Sequence, residues 1–350
     1  MTSTLQRSGT PELLDLHPAA ADMRQLVIEG LSQTPKQLPA WFLYDAEGSR
    51  LFDLICQQPE YSLTKTETAL LEDQAQAMAA ALGDGTLVEF GAGSARKVGP
   101  LLEALKQPAY IALDISADHL AQACARLQKD HPDVPMVGIC CDYSQLEQLP
   151  SHPLLQQRRL GFFPGSSLGN FTTTAAETLL RQFRRLLGPD GALLIGIDQP
   201  KATERLEAAY DDAAGVSARF ALNLLERLNR DLGCDFDLDQ FRYQARWVAA
   251  ASHIEMALIS QRDQTVRACG RSWHFAEGES LITETSHKYS PEAFLNLAAR
   301  AGWTSEARWS DPRNDLSLHL LKQADWTPSR TCDGEGRSAA SLPGTTGRPH

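Results

Sequence analysis

The segment Glu89-Phe-Gly-Ala-Gly-Ser-Ala-Arg-Lys97 has the residue types of a nucleotide-binding turn. Gly91 and Gly93 lack a Cβ, so backbone N–H groups there can approach a ligand closely. A dinucleotide fingerprint would need a third glycine at position 96, where this chain has Arg96. Further on, the apolar run Tyr110-Ile-Ala-Leu-Asp114 ends in a carboxylate, a group that can accept hydrogen bonds from both hydroxyls of a ribose. Asp142 and Tyr143 close the following apolar run and offer an adenine a polar partner and an aromatic face. An adenosine ligand without a pyrophosphate fits this set. S-adenosylmethionine is such a ligand, and Lys97 could pair with its methionine carboxylate. Read singly, the residues admit blander roles: Asp114 could cap the helix opening near Ala117, and Lys97 could be a solvated helix residue.

These groups need a rigid frame, and the chain from Thr64 to Asp198 reads as alternating helix and strand. Thr64-Lys-Thr-Glu67 fits a capping box at the start of a helix reaching Leu82. Strands are expected at Thr86–Phe90, Tyr110–Ile115, Met136–Cys141, Leu160–Phe163 and Ala192–Ile197. Amphipathic helices such as Ala117–Lys129 and Ala175–Leu187 separate most of them. Strands connected in this way are parallel, which predicts a doubly wound, Rossmann-like α/β sheet. After a helix over Pro291–Ala301, the runs Trp303–Trp309 and Leu316–Leu321 flank the turn Ser-Asp-Pro-Arg-Asn-Asp. The sheet is therefore expected to finish in an antiparallel hairpin, an arrangement that by analogy suits a class I methyltransferase.

The stretch from Lys201 to His287 breaks the rhythm: one long helical pattern, Ala202–Leu232, precedes strands near Arg246–Ile259 and Ser272–Thr285. It predicts an inserted α+β domain. On this reading residues 11–63 and 201–287 form a substrate-binding domain and residues 64–200 and 288–325 a cofactor-binding domain. Residues 1–10 and the Gly/Ser/Pro-rich residues 326–350 are expected to be disordered.

With 350 residues and a net charge of −11, the chain has the wrong sign for nucleic acid or an anionic membrane as its main partner. No apolar run approaches the roughly 18 residues of a membrane span, and no secretory signal opens the chain, so a cytoplasmic location is expected. The seven cysteines show no C-x-x-C spacing and the nine histidines form no ligand pair, so neither a disulfide framework nor a bound metal is expected. Gly-Ser-Ser-Leu-Gly at 165–169 lacks the register of a nucleophile elbow.

Four strings are more specific than this frame: residues 41–67 (WFLYDAEGSRLFDLICQQPEYSLTKTE), the glycine loop, residues 162–171 (FFPGSSLGNF) and residues 282–290 (ITETSHKYS). Through them the sequence resembles the histidine-specific methyltransferase family over about Pro39 to Lys322. Two departures stand out: Tyr61-Ser62 where the family often has a double aromatic, and Tyr143 where phenylalanine is common.

The resemblance implies trimethylation of the α-amine of histidine to hercynine, a step of ergothioneine biosynthesis, with S-adenosylmethionine as donor. Apart from the resemblance, a monomer acting on a small-molecule substrate is expected. The resemblance also implies Gly91, Gly93, Lys97, Asp114, Asp142 and Tyr143 as cofactor residues. Tyr61, Gly165, Asn170, Tyr210, Met256, Glu284, Thr285 and Ser286 become the amino-acid set, with Gly165 and Tyr44 beside the reacting amine and Tyr44 and Asn170 as the catalytic residues. Tyr44 or a water would then receive the proton. Glu284 and Ser286 share one strand face and complement the donor and acceptor ends of a neutral imidazole. Alternatives remain open: a betaine-forming methyltransferase for tyrosine or tryptophan, a nucleotide-dependent oxidoreductase, and a catalytically silent binding module.

Overall fold

The computed structural model describes residues 11–16 and 23–323. The expected disorder at residues 1–10 and 326–350 lies outside the described residues. The larger sheet runs in the order Glu12–Asp15, Met136–Cys140, Ala109–Asp114, Thr86–Phe90, Arg159–Phe163, Ala192–Asp198, Leu316–Gln323, Trp303–Ser310. The first six strands are parallel, and the last two pair antiparallel. This is the expected Rossmann-like sheet closed by a hairpin.

Both faces of the sheet are covered, which is why its strands read as continuous apolar runs instead of alternating ones. Leu87 packs in one core with Leu71, Met78 and Leu120, whereas Val88 and Phe90 pack in the other with Leu180, Phe183 and Phe294. The first core continues without a break into the insertion, through Phe42, Leu224, Leu258 and Phe275. The insertion is thereby fixed against the sheet rather than tethered to it.

The insertion contains a four-stranded sheet in the order Lys36–Gln37, Ser280–His287, His253–Ser260, Phe241–Val248, and a separate ribbon of Gln264–Ala268 and Arg271–Phe275. The strand expected near Arg246–Ile259 is thus two antiparallel strands joined through the turn Ala249–Ala251. The one near Ser272–Thr285 is likewise two.

Three expectations need correction. Glu12–Asp15 does not belong with the insertion: it adds to the edge of the larger sheet beside Met136–Cys140. The long helix is broken into Thr203–Tyr210 and Val216–Leu232. Asp212 causes the break, its carboxylate accepting the N–H groups of Val216 at 2.9 Å and Ser217 at 2.7 Å, while Gly215 turns with φ +68°. Tyr210 consequently sits at the C-terminal end of a short helix, not in the first turns of a long one. Finally, Thr64-Lys-Thr-Glu67 is no capping box, because the helix already begins at Ser62 and its N-cap makes no side-chain bond. Glu67 is fully buried and serves another purpose.

Candidate active site

A cleft of about 490 Å³ opens where the carboxyl ends of the parallel strands meet the insertion. Gly91, Gly93, Lys97, Asp114, Asp142 and Tyr143 line it from the sheet side. Tyr44, Tyr61, Gly165, Asn170, Tyr210, Met256, Glu284 and Ser286 line the remainder. Thr285 does not: it lies between Glu284 and Ser286 on the same strand, and successive side chains point to opposite faces. Its inclusion among the expected site residues is corrected accordingly.

On the sheet side, Gly91 and Gly93 adopt φ +70° and +51°, a region that favours glycine. A Cβ at Gly91 would stand 3.3 Å from the Tyr143 hydroxyl. Asp114 uses one carboxylate oxygen to accept the Gly93 N–H at 2.8 Å and the other to accept the Ser116 N–H at 3.0 Å. It therefore shapes the glycine loop and also steadies the entry to the helix Ala117–Asp130. Asp142 accepts from the backbone and hydroxyl of Ser144 at 2.9 and 2.6 Å. Phe90 and Phe163, each 6.0 Å away by ring centroid, hold Tyr143 edge-on. Two carboxylates at the ends of neighbouring strands, a left-handed glycine turn and an aromatic wall fit an adenosine-bearing cofactor.

Lys97 stands on the cleft wall but is already paired: its Nζ donates to Glu67 at 2.7 Å. Glu67 also accepts the Gly165 N–H, at 2.8 and 2.9 Å from its two oxygens. Gly196 beneath it has no room for a side chain, since a Cβ would collide with the Glu67 carboxylate. One buried carboxylate thus fixes a residue of each half of the cleft. Glu67 falls on the apolar stripe Leu63, Leu70, Leu71 of its helix, but that position alone does not name the partner that keeps it buried.

Glu89, also overlooked, lines the cleft just before the glycine loop. Burial pushes its carboxyl up to about 8, against the opposing effect of a hydrogen bond from Tyr110. It is mainly neutral at pH 7.

On the insertion side, Asn170 donates its amide to Glu284 Oε1 at 2.9 Å, and the Tyr44 hydroxyl donates to the same oxygen at 3.4 Å. Burial pushes Glu284 up to about 7, with the Tyr44 hydrogen bond and the nearby Lys288 charge opposing it. Burial and the Glu284 charge in turn raise the Tyr44 phenol well above its ordinary value of 10.0. Tyr44 is therefore a neutral donor near pH 7. The Tyr210 and Ser286 hydroxyls lie 2.9 Å apart, and the Tyr61 ring meets that of Tyr210 edge-on at 5.8 Å. Met256 is the cross-strand partner of Glu284 and packs with Leu206, Ala245 and Ile254.

The arrangement can hold an adenosine on one wall and present a convergent set of donors and a carboxylate from the other. A sequence model described as SAM-dependent, histidine-specific methyltransferase matches residues 23–323. The chain is 39% identical over 308 residues to a histidine N-alpha-methyltransferase of Mycolicibacterium smegmatis, covering 86% of this chain and 95% of that one. It is 36% identical over 305 residues to a histidine N-alpha-methyltransferase of Mycobacterium tuberculosis, covering 85% and 94%. An ergothioneine biosynthesis protein 1 of Neurospora crassa is 30% identical over 344 residues, which is 91% of this chain and 37% of that protein. With a match over residues 23–323 and two relatives covered over 95% and 94% of their own length, the chain belongs to the SAM-dependent, histidine-specific methyltransferase family.

Proposed function

We propose that this protein methylates the α-amino group of L-histidine three times, giving hercynine, the betaine that enters ergothioneine biosynthesis. The observation that carries the reading is the pairing, across one cleft, of the Asp114 wall with Glu284 and Ser286 on a single strand face. A neutral imidazole has one N–H donor and one acceptor nitrogen, which the Glu284 carboxylate and the Ser286 hydroxyl complement. Tryptophan offers a donor alone and would leave Ser286 without a partner, while tyrosine carries its donor and acceptor on one oxygen instead of at two separated ring positions and does not span two groups two residues apart on the strand.

S-adenosylmethionine, held by Gly91, Gly93, Lys97, Asp114, Asp142 and Tyr143, would supply an electrophilic methyl whose S–C bond breaks as the N–C bond forms. The chain's own groups then have to orient the amine, exclude water and take a proton at each transfer. Asn170 and Gly165 border the amine, and Tyr61 and Tyr210 shape the pocket around the carboxylate and side chain. Tyr44 is unsuited to be the resting base because its phenol is held protonated; it can pass a proton only by handing its own to Glu284. Glu284, with its carboxyl near 7, can accept one.

A monomer is part of this reading, and the free thiols of the described cysteines support a cytoplasmic location. Among the described residues no helix is long and apolar enough to cross a membrane. Light scattering on the purified protein would test the monomer.

The deciding experiment incubates the protein with histidine and S-adenosylmethionine and follows the products by mass spectrometry. Mono-, di- and trimethylated histidine should appear in turn; tyrosine or tryptophan converted instead would overturn the reading. Asp114→Ala is expected to weaken S-adenosylhomocysteine binding by roughly ten- to a hundredfold, since a hydrogen bond to a charged group contributes about 1.5–3 kcal/mol. Calorimetry measures this, and tighter binding of NAD than of S-adenosylhomocysteine by the unaltered protein would refute the cofactor assignment.

A further inference from the structure

Lys288 follows Glu284 and Ser286 at the next alternate position of the chain, and its side chain is completely buried. Its ammonium lies 2.7 Å from Asp198 Oδ2, 2.6 Å from the Tyr210 hydroxyl and 3.0 Å from the Ser286 hydroxyl. Its three N–H donors are thus all engaged, and an ammonium accepts nothing. Burial alone would pull its pKa down, but the Asp198 carboxylate and the Tyr210 oxygen hold it above its usual value. Asp198 closes the strand Ala192–Asp198 and takes a second cation, Lys201, at 2.6 Å on its other oxygen. The cluster therefore joins the sheet to the insertion and carries two ammonium groups for one carboxylate.

Both hydroxyl oxygens receive an N–H from Lys288, and the two hydroxyls also bond to each other at 2.9 Å. They own two protons between them. One lies in their mutual bond, and the other must be directed elsewhere; both side chains line the cleft. Lys288 does not line it, so it acts through its neighbours.

We propose that Lys288 is a positioning residue: by donating to both oxygens it commits Tyr210 to donate to Ser286 and the Ser286 proton to point into the cleft, so that the site selects a neutral imidazole with its N–H on Glu284 and its lone pair facing Ser286. This rests on histidine being the substrate. A ring that offers only N–H donors then meets an unpaired donor at Ser286, which costs binding.

The test is Lys288→Met, assayed for histidine KM, for S-adenosylhomocysteine affinity by calorimetry, and for discrimination between histidine and a pyrrolylalanine, whose ring has a donor and no acceptor. The expected result is a histidine KM raised tenfold or more, cofactor affinity within about twofold, and discrimination reduced by a similar factor to the rise in KM. A purely structural lysine would shift both affinities together and leave discrimination alone, and that outcome overturns the proposal. Should K288M fail to fold, the unaltered protein decides: pyrrolylalanine binding as tightly as histidine overturns the proposal, and a tenfold or larger deficit supports it. Failure of the unaltered protein to methylate histidine would overturn the substrate reading and this inference together, whereas methylation with an unaffected K288M overturns this inference alone.

Discussion

Glu284→Ala is expected to lower kcat/KM for histidine by about two orders of magnitude at pH 8, while S-adenosylhomocysteine affinity changes little. A buried charged acceptor for the ring N–H contributes roughly 1.5–3 kcal/mol, and its removal also leaves the Asn170 amide and the Tyr44 hydroxyl without their partner. Steady-state kinetics and calorimetry separate the two effects. The pH dependence gives an independent check. Because the Glu284 carboxyl lies near 7, the acceptor is present above that pH and is lost as pH falls through it. Histidine binding by the unaltered protein should weaken from pH 8 to pH 6, and Glu284→Gln, whose amide oxygen does not titrate, should lack that component. The imidazole of free histidine itself titrates near 6.5, but this is common to both proteins and cancels in their ratio. Identical pH profiles for the two would refute the role of Glu284.

The same carboxyl makes a stability statement. Its folded value is raised above the unfolded value, so the contribution is full below about 4.5 and disappears as pH rises through about 7. Glu284→Gln should therefore gain on the unaltered protein as pH rises from 5 to 8, by up to about 3 kcal/mol in urea unfolding. A variant can thus be less active and more stable at pH 8, which is the pattern of a group kept for binding at the expense of folding.

The larger sheet was legible in the sequence because burial on both faces leaves a plain signature: short apolar runs such as Thr86–Phe90 and Ala192–Asp198, each bounded by a turn. The insertion was less so. Its strands have polar exposed faces, and the pairing of Lys36–Gln37 with Ser280–His287 joins segments far apart in the chain, which no local pattern reports. The helix break at Asp212 was hidden because capping by an aspartate leaves the apolar periodicity on either side almost unaltered. At the site, residue type and alternation singled out Glu284 and Ser286 yet drew in Thr285, whose place on the opposite face follows from the same rule. Glu67, Glu89 and Lys288 escaped for one shared reason. A charged residue inside an apolar pattern reads locally as surface, and only the tertiary partner, Lys97, Tyr110 or Asp198, shows why it is buried.

Glu67→Ala should show the largest loss of stability of any variant considered, about 3–5 kcal/mol in urea unfolding, because breaking a buried pair strands the charge that remains. The Lys97 ammonium, with only 17% of its side chain exposed, would lose its acceptor, and the Gly165 N–H would lose the one it has among the described residues. Glu67→Gln should fall between, since an amide offers one oxygen where the carboxylate serves two sets of donors. The functional consequence differs from that of Glu284→Ala. Lys97 lies on the wall assigned to the cofactor and Gly165 on the part of the cleft proposed to border the amine, so affinities for S-adenosylhomocysteine and histidine should both fall. Calorimetry on the folded fraction of the Gln variant, at a temperature well below its unfolding transition, measures each. If stability drops while both affinities stay unchanged, Glu67 is a packing residue alone. If both drop, the two halves of the cleft are held in register by a single carboxylate that does not itself line the cleft, and the space that Gly196 leaves for it is part of the site.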